Sequence, residues 1–440
     1  MAEEIEMSEA EVGQAIQRWQ DRIGRKRNDT AVVRAGPEDS TEFSRDSNPK
    51  GYAPSLANAR LAIQKLGVVF RLDTFRQRIV TEGWPKELGE TSEKIELVVR
   101  KLVIERFEFD PEPKHTRDAI ELIAMENAFD PVKDYLDGLN WDGVPRLDFW
   151  LRNYIGAADD EYTSAVGRAV LTGAVRRARH PGSKFDGVMV LEGPQGGGKS
   201  TALKILAGGE EFFSDEIAAD VPYKEQQELL QGKWIVELPE LVGLSNTQIG
   251  RLKQFISKTR DRGRPAFARS VVELPRRCIL VGTTNDAQYL RDTTGNRRFW
   301  PVEVGEIDLD ALGRDRDQLW AEAAAAERLV PLDAPITLPK ELWAEAARRQ
   351  SERVTGDPWA DVLLSGLPRI AKQVGNELRV MTPDIFDRLL GMDMRATSKR
   401  ESGRLAECMR VLGWSGPKNV RIDGEQGKGY VTEVDMAPDG

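Results

Sequence analysis

A chain of 440 residues with a formal net charge of -9 is too long for one ordinary domain and too acidic to coat nucleic acid along its whole surface, so any contact with a polyanion must be concentrated in local patches. Its two cysteines, Cys278 and Cys408, sit in apolar segments, which excludes a disulfide framework or a zinc-ligand spacing and points to a reducing compartment; the two histidines, His115 and His180, are too few for His-based metal chemistry. No run of 18 apolar residues and no apolar leader occurs, so the expectation is a soluble, cytoplasmic protein of about three domains with no membrane contact.

Helical spacing of Val12, Ala15, Ile16, Trp19 and Ile23 predicts a short amphipathic helix between Ser8 and Gly24, closed by Arg25-Lys26-Arg27. The basic triplet is either a DNA contact or, more blandly, a solvated helix C-terminus. The polar stretch from Asn28 to Lys50 reads as a mobile linker, so residues 1–54 are a short helix plus linker. Residues 55–184 read as an all-helical module. Its helices run from about Ser55 to Leu66, Ser92 to Glu105, Thr116 to Asn127 and Asp160 to Arg177, and a short hairpin joins Phe70–Asp73 to Arg78–Val80. Within it, Asn140-Trp-Asp-Gly-Val-Pro-Arg146 is a turn cluster.

From Lys184 the period changes. Apolar runs at Val188–Leu191, Trp234–Val236 and Cys278–Val281 alternate with helical stretches, which predicts a parallel sheet flanked by helices over 185–331. Helical spacing at Lys340–Arg349 makes 332–358 a helical connector. In 359–440 a helix opens at Val380-Met-Thr-Pro-Asp384 and a second covers Glu401–Leu412. The strands Asn419-Val-Arg-Ile and Gly429-Tyr-Val follow, joined by Asp423-Gly-Glu-Gln-Gly-Lys, and this is the order of a winged-helix-like domain.

The stretch Gly193-Pro194-Gln195-Gly196-Gly197-Gly198-Lys199-Ser200-Thr201 fits a phosphate loop between a strand and a helix, the context such a loop requires. Its glycines let backbone N–H groups point at phosphates, Lys199 would reach the β- and γ-phosphates, and Ser200 would ligate Mg²⁺. ATP and Mg²⁺ are therefore the expected ligands. Lys233-Trp-Ile-Val-Glu237-Leu-Pro-Glu240 ends a strand in an acid with a second acid three residues on. Glu237 is assigned to the metal shell and Glu240 to the attacking water, with the reverse assignment left open. Asn285, which ends the strand after Gly282-Thr-Thr, can hydrogen-bond the γ-phosphate and the water, or simply cap a turn. The three stations fall within 92 positions of Gly193.

Arg297 and Arg298, after the Gly295-Asn296 turn and before Phe299-Trp300, suit a finger reaching another subunit's γ-phosphate; an intramolecular ion pair is the alternative for one of them. Residues 251–300 hold twelve Lys or Arg against four Asp or Glu, a balance of +8. A basic hairpin carrying Arg262, Arg264, Phe267 and Arg269 could track a phosphate backbone, or some of its arginines could serve ATP or a neighbouring subunit.

The phrases Trp141-Asp-Gly-Val-Pro-Arg146, His180-Pro-Gly-Ser-Lys-Phe-Asp186, Leu191-Glu-Gly-Pro-Gln-Gly196, Glu237-Leu-Pro-Glu240, Gly282-Thr-Thr-Asn285 and Gly295-Asn-Arg-Arg-Phe-Trp-Pro301 resemble the virulence-associated E family of phage and mobile-element proteins, whose ATPase is similar to superfamily 3 helicases. The resemblance covers roughly residues 115–330. It implies an α/β P-loop core with the parallel sheet of superfamily 3 and AAA+-like ATPases, a hexameric translocase on single-stranded or forked DNA, and a pore hairpin in the region of Lys253 and 260–269. It also implies service to replication of a mobile element, with a separate primase or replication protein as a further partner. Larger relatives carry a primase domain ahead of the helical module, and the first 50 residues are too short and polar to be one. The competing expectation is a non-translocating, ATP-switched initiator or regulator that recognises DNA through the winged helix.

Overall fold

A computed structural model of the chain describes residues 43–44, 52–82, 92–216, 229–239, 246–263, 272–290, 296–354 and 357–434. The helix expected at 8–24, the linker after it, and Glu240, Arg264, Phe267 and Arg269 lie outside the described residues. Two compact units emerge, 1–287 with 294–352 and 288–293 with 353–440. The stretch expected as a connector therefore divides at about residue 352.

In the first unit, α1 (Leu56–Leu66) starts where the Ser55 side chain accepts from the Asn58 amide and stops where Gly67 turns left-handed at φ 76°. With β1 (Val69–Asp73), β2 (Arg78–Glu82), α2 (Ser92–Phe107) and α3 (Pro113–Glu126) it encloses a core that includes Ile63, Phe70, Val99, Leu102 and Ile123. The β1–β2 turn is locked by the fully buried Asp73, which accepts from the amides of Phe75 and Arg76 at 2.9 Å and from the Arg76 guanidinium at 2.8 Å. The same Arg76 pairs with Glu211 at 2.6 Å, and Arg277 donates to the Thr74 carbonyl at 3.2 Å, so the module is pinned to the sheet that follows. Helices α1 to α3 and the single β1–β2 hairpin thus share one core.

After α4 (Pro131–Gly138), α5 (Trp150–Ile155) and α6 (Glu161–Arg179), a five-stranded sheet forms the centre of the unit. Its order is β4 (Phe213–Ser214), β5 (Ile235–Leu238), β8 (Ile279–Thr284), β3 (Val188–Glu192) and β9 (Phe299–Glu303), and every pairing is parallel. All residues of β3 and β8 are buried, as continuous apolar runs covered on both faces should be. The core joins α6, α7 (Lys199–Ala207) and α9 (Leu309–Arg328) to Met189, Leu191, Ile279 and Val281. Trp234 and Trp320 stack at 4.2 Å, and their indole N–H groups are satisfied by the carbonyls of Ala174 and Leu206. Buried charge is matched as well. Arg176 pairs with Glu327 and donates to the Val330 carbonyl at 2.6 Å, closing the end of α9, while Arg177 donates to the carbonyls of Ser183, Cys278 and Phe185. Burial pushes the Arg177 guanidinium down to about 10.

Between β5 and β8 lie α8 (Asn246–Ile256) and the antiparallel pair β6 (Arg260–Gly263) and β7 (Val272–Pro275), outside the main sheet. α10 (Trp343–Glu352) closes the unit, with Gln350 donating to the Phe299 carbonyl at 2.8 Å.

The second unit comprises α11 (Pro358–Ile370), β10 (Lys372–Val374), β11 (Glu377–Met381), α12 (Thr382–Asp384, continuing as a π-turn through Ile385–Leu389), α13 (Lys399–Val411), β12 (Ser415–Ile422) and β13 (Glu425–Glu433). Its sheet runs β10-β11-β13-β12, over a core that includes Leu363, Phe386, Leu405, Met409 and Tyr430. The strands of the β12–β13 ribbon are longer than the sequence predicts, and their connection is two residues instead of six. Asp423 (φ 50°) and Gly424 (φ 87°) both adopt the left-handed conformation of a tight hairpin turn. Among the described residues no helix is long and apolar enough to cross a membrane.

Candidate nucleotide-binding site

The parallel sheet brings the carboxyl ends of β3, β5 and β8 to one edge, where crevices between strands of an open α/β sheet take ligands. β3 leads into Gly193, where an added Cβ would meet Val304 Cγ2 at 2.4 Å. Gly196 (φ 79°) and Gly198 (φ 86°) hold the left-handed backbone that only glycine adopts without strain. Pro194 to Gly197 are exposed, and α7 starts behind Gly198 with no side-chain cap, so its first N–H groups face the loop.

Lys199 is buried at the head of α7, and its ammonium donates to the carbonyls of Gly193 at 2.7 Å and Pro194 at 2.8 Å. Burial lowers its pKa, against the opposing pull of the Glu237 carboxylate. One residue on, the Ser200 hydroxyl donates to Glu237 Oε1 at 2.9 Å, and the Thr283 hydroxyl donates to the same oxygen. Glu237 is 2% exposed, and its Oε2 is a buried acceptor with no hydrogen-bond partner. A hydroxyl beside a carboxylate with one unused oxygen fits a hard divalent cation that takes its remaining ligands from phosphate and water. Among the described residues no group of three or more His, Cys, Asp or Glu could hold a metal.

Asn285 is exposed immediately past β8, at this same edge. The neighbouring Thr284 carbonyl accepts from the Gly193 amide at 3.1 Å, which ties the start of the loop to the end of β8. Lys199, Ser200 and Glu237 therefore converge, with Asn285 following the strand that carries Thr283. Sequence reading did not assign Thr283. The phrase Gly282-Thr-Thr-Asn285 was in view, but only the pairing of β5 with β8, with Leu238 beside Gly282, puts this hydroxyl next to Glu237.

The two arginines lie elsewhere. Asn296–Arg298 form a 3-10 turn directly before β9, and the register pairs Val188 with Phe299 and Glu192 with Glu303. They occupy the amino edge of the sheet, with the length of a strand between them and the loop, about 13 Å for four residue steps. Arg298 donates to Ser257 Oγ at 2.9 Å and stands 3.8 Å from Asp186, so it is engaged within the chain. The Arg297 side chain is exposed, and its carbonyl accepts from the Trp300 indole at 3.2 Å.

The basic hairpin rises from the same amino edge. The Arg276 amide and carbonyl bond to Thr259 and Gly182 at 2.8 and 2.9 Å. Strand alternation turns Asp261 inward to a buried ion pair with Arg276 at 2.7 Å and leaves Arg260 and Arg262 exposed. Lys253 sits half-buried in the last turn of α8, four residues before Ser257.

Comparison with known proteins adds a family and distant structural likenesses. The family model described as the virulence-associated protein E-like domain matches residues 136–355. No curated protein matches the chain. Among solved structures, the apo structure of the NrS-1 C-terminal region (305–718) aligns at 12% identity and TM-score 0.45, covering 86% of this chain and 98% of that one. The A form of that apo region aligns at 13% identity and TM-score 0.45, over 87% and 100% of the two chains. A structure described as SCCmec type IV Cch, active helicase, aligns at 11% identity and TM-score 0.33, over 61% of this chain and 67% of that one.

Proposed function

This chain belongs to the virulence-associated protein E-like family, and from that premise we propose that it is an ATP-driven translocase or helicase on DNA, serving replication of a phage or mobile element and working as a ring, a hexamer by resemblance to superfamily 3 helicases. The carrying observation is the convergence of Lys199, Ser200 and the half-unpartnered Glu237 carboxylate at the carboxyl edge, beneath an uncapped helix start.

In this reading the loop amides and the α7 N-terminus receive the phosphates of ATP, and Lys199 exchanges its two carbonyl partners for β- and γ-phosphate oxygens. Ser200 and Glu237 would hold Mg²⁺, which when bound would offset phosphate charge. Thr283 keeps Glu237 aimed at that position. Asn285 orients the attacking water, with the Glu240 carboxylate as the general base that accepts its proton. An arginine at the amino edge is far from the loop of its own sheet, which supports its use by a neighbouring protomer. Arg298 is tied to Ser257, so Arg297 is the group assigned to the neighbour's γ-phosphate, a contact worth roughly 10³ to 10⁵ in rate. The helical module is the collar, Lys253 and the 260–275 hairpin contact the strand, and the second unit is a winged-helix-like accessory domain.

The test is ATP hydrolysis with and without single-stranded DNA, using Lys199→Ala and Arg297→Ala chains singly and mixed. Each variant alone should be nearly inactive, and mixing should restore turnover, because some interfaces then combine an intact loop with an intact arginine. Full activity of Arg297→Ala, indifferent to DNA, would sink the motor reading. Strand displacement separates it from an ATP-switched initiator, which would bind duplex without opening it.

A further inference from the structure

The second unit is nearly neutral, with twelve Lys or Arg and eleven Asp or Glu over residues 357–434, so bulk charge says nothing about a ligand. The pairing of those charges is uneven. Lys372 pairs with Asp423, Arg379 with Glu377, Arg388 with Asp384, Arg404 with Asp357 and Arg410 with Glu407. Among the described side chains from residue 357 onward, the cations in no such ion pair are Arg369, Lys399, Arg400, Lys418, Arg421 and Lys428, all exposed.

Five of those six lie on α13 and the β12–β13 ribbon, consecutive elements joined by a tight turn in which the Trp414 amide donates to the Met409 carbonyl at 2.8 Å. Lys399 and Arg400 open α13, whose other side buries Leu405, Cys408 and Met409. On the ribbon, the register pairs Asn419 with Lys428 and Arg421 with Gln426, so these four side chains share one face, opposite the buried Val420. That face carries two cations and two amides and no carboxylate. Of the acids on these elements, Glu407 holds Arg410 and Asp423 holds Lys372, Glu401 caps α13 by accepting from the Ser398 amide at 2.7 Å, and Glu425 and Glu433 stand at the two ends of β13.

We propose that this helix-and-ribbon surface binds duplex DNA, with the start of α13 directed at a groove and Arg421 and Lys428 on the flanking phosphates. A helix of this width fits the major groove, and a two-stranded ribbon can lie along the adjacent backbone. The inference rests on the winged-helix-like reading of the second unit, and it turns an accessory contact of unspecified kind into a duplex site separate from the single-strand elements around residues 253–275.

The experiment uses the full chain, a labelled random-sequence duplex and a labelled single strand of equal length, with anisotropy read across a salt series. Arg421→Gln with Lys428→Gln should weaken duplex binding at least tenfold and lower the slope of log affinity against log salt by about two, while single-strand binding, single-strand-stimulated ATP turnover and the melting temperature stay unchanged. Unchanged duplex affinity overturns the proposal, and equal loss on both probes overturns its duplex selectivity. The two readings fail separately: a parent chain whose ATP turnover ignores single-stranded DNA, but whose duplex binding still falls with Arg421→Gln and Lys428→Gln, overturns the motor alone, whereas a DNA-stimulated parent whose duplex binding is untouched by that pair overturns this site alone.

Discussion

Glu237 receives two hydroxyl hydrogen bonds on one oxygen and none on the other, an asymmetry that fixes the carboxylate plane and leaves Oε2 without a hydrogen bond. Removing the Thr283 hydroxyl while keeping its shape should let that plane rotate. Thr283→Val is therefore expected to weaken apparent Mg²⁺ affinity about 10- to 100-fold, read from the metal dependence of ATP turnover, with little change in stability. An unchanged metal dependence would show that Thr283 serves packing alone. The glycines, Lys199 and Ser200 were legible in the sequence because they are contiguous and are read in one line. Thr283 was not, because its partner lies 46 positions away and only adjacent strands bring them together.

At the scale of elements, the basic hairpin is held at its base by a buried ion pair. Arg276 donates to both Asp261 oxygens at 2.7 and 2.8 Å and to the Phe255 carbonyl at 2.7 Å. Deleting one charge leaves the other stranded, so Asp261→Leu should cost about 3–5 kcal/mol in denaturant unfolding, whereas Asp261→Leu with Arg276→Met should recover most of that loss. No recovery would place the cost in the backbone of the hairpin. In the second unit, Asp357 caps α11 by accepting from the Trp359 amide at 2.9 Å, and its two oxygens accept from Arg404 Nε and Nη2 at 2.6 Å each. Burial pushes this carboxyl up, but the hydrogen bonds from Arg404 and the Trp359 amide outweigh it and hold the pKa below the ordinary aspartate range. The stability it supplies is complete above that ordinary range and is lost as pH falls through the depressed value. Unfolding scans between about pH 5 and about pH 2 should show a shallower acid loss for Arg404→Gln than for the parent. Identical slopes would mean that the pair adds nothing to the cap. The α13 cap, Ser398 with Glu401 three residues on, follows a local sequence rule, whereas the Asp357–Arg404 pair spans 47 positions and could not be read in advance.

For the molecule as a whole, the decisive arrangement is the opposition of two edges in the first unit, with the glycine-rich loop at the carboxyl ends of the strands and Arg297, Arg298 and the hairpin base at the amino ends. A site completed by a neighbour's arginine requires assembly, so ATP turnover per chain should rise with chain concentration before reaching a plateau. Turnover proportional to concentration down to high dilution would count against a shared site. Along the chain, the helices and hairpin of residues 56–126 precede the parallel sheet, and the helix-and-ribbon unit follows it. The boundary differs because α10 packs on β9 by long-range contacts, and no composition change marks that.

Features built from neighbours in the chain were legible from the amino-acid order alone: the glycine-rich turn between a strand and a helix, and the buried apolar runs at Val188–Leu191 and Cys278–Val281. Strand order, the sharing of Glu237 by Ser200 and Thr283, the inward engagement of Arg298, and the clustering of unpaired cations on α13 and its ribbon came from folding. The physical reason is one of range. Backbone propensity and side-chain period act over a few residues, whereas a hydrogen bond or ion pair between distant segments exists only after burial has chosen which strands lie side by side.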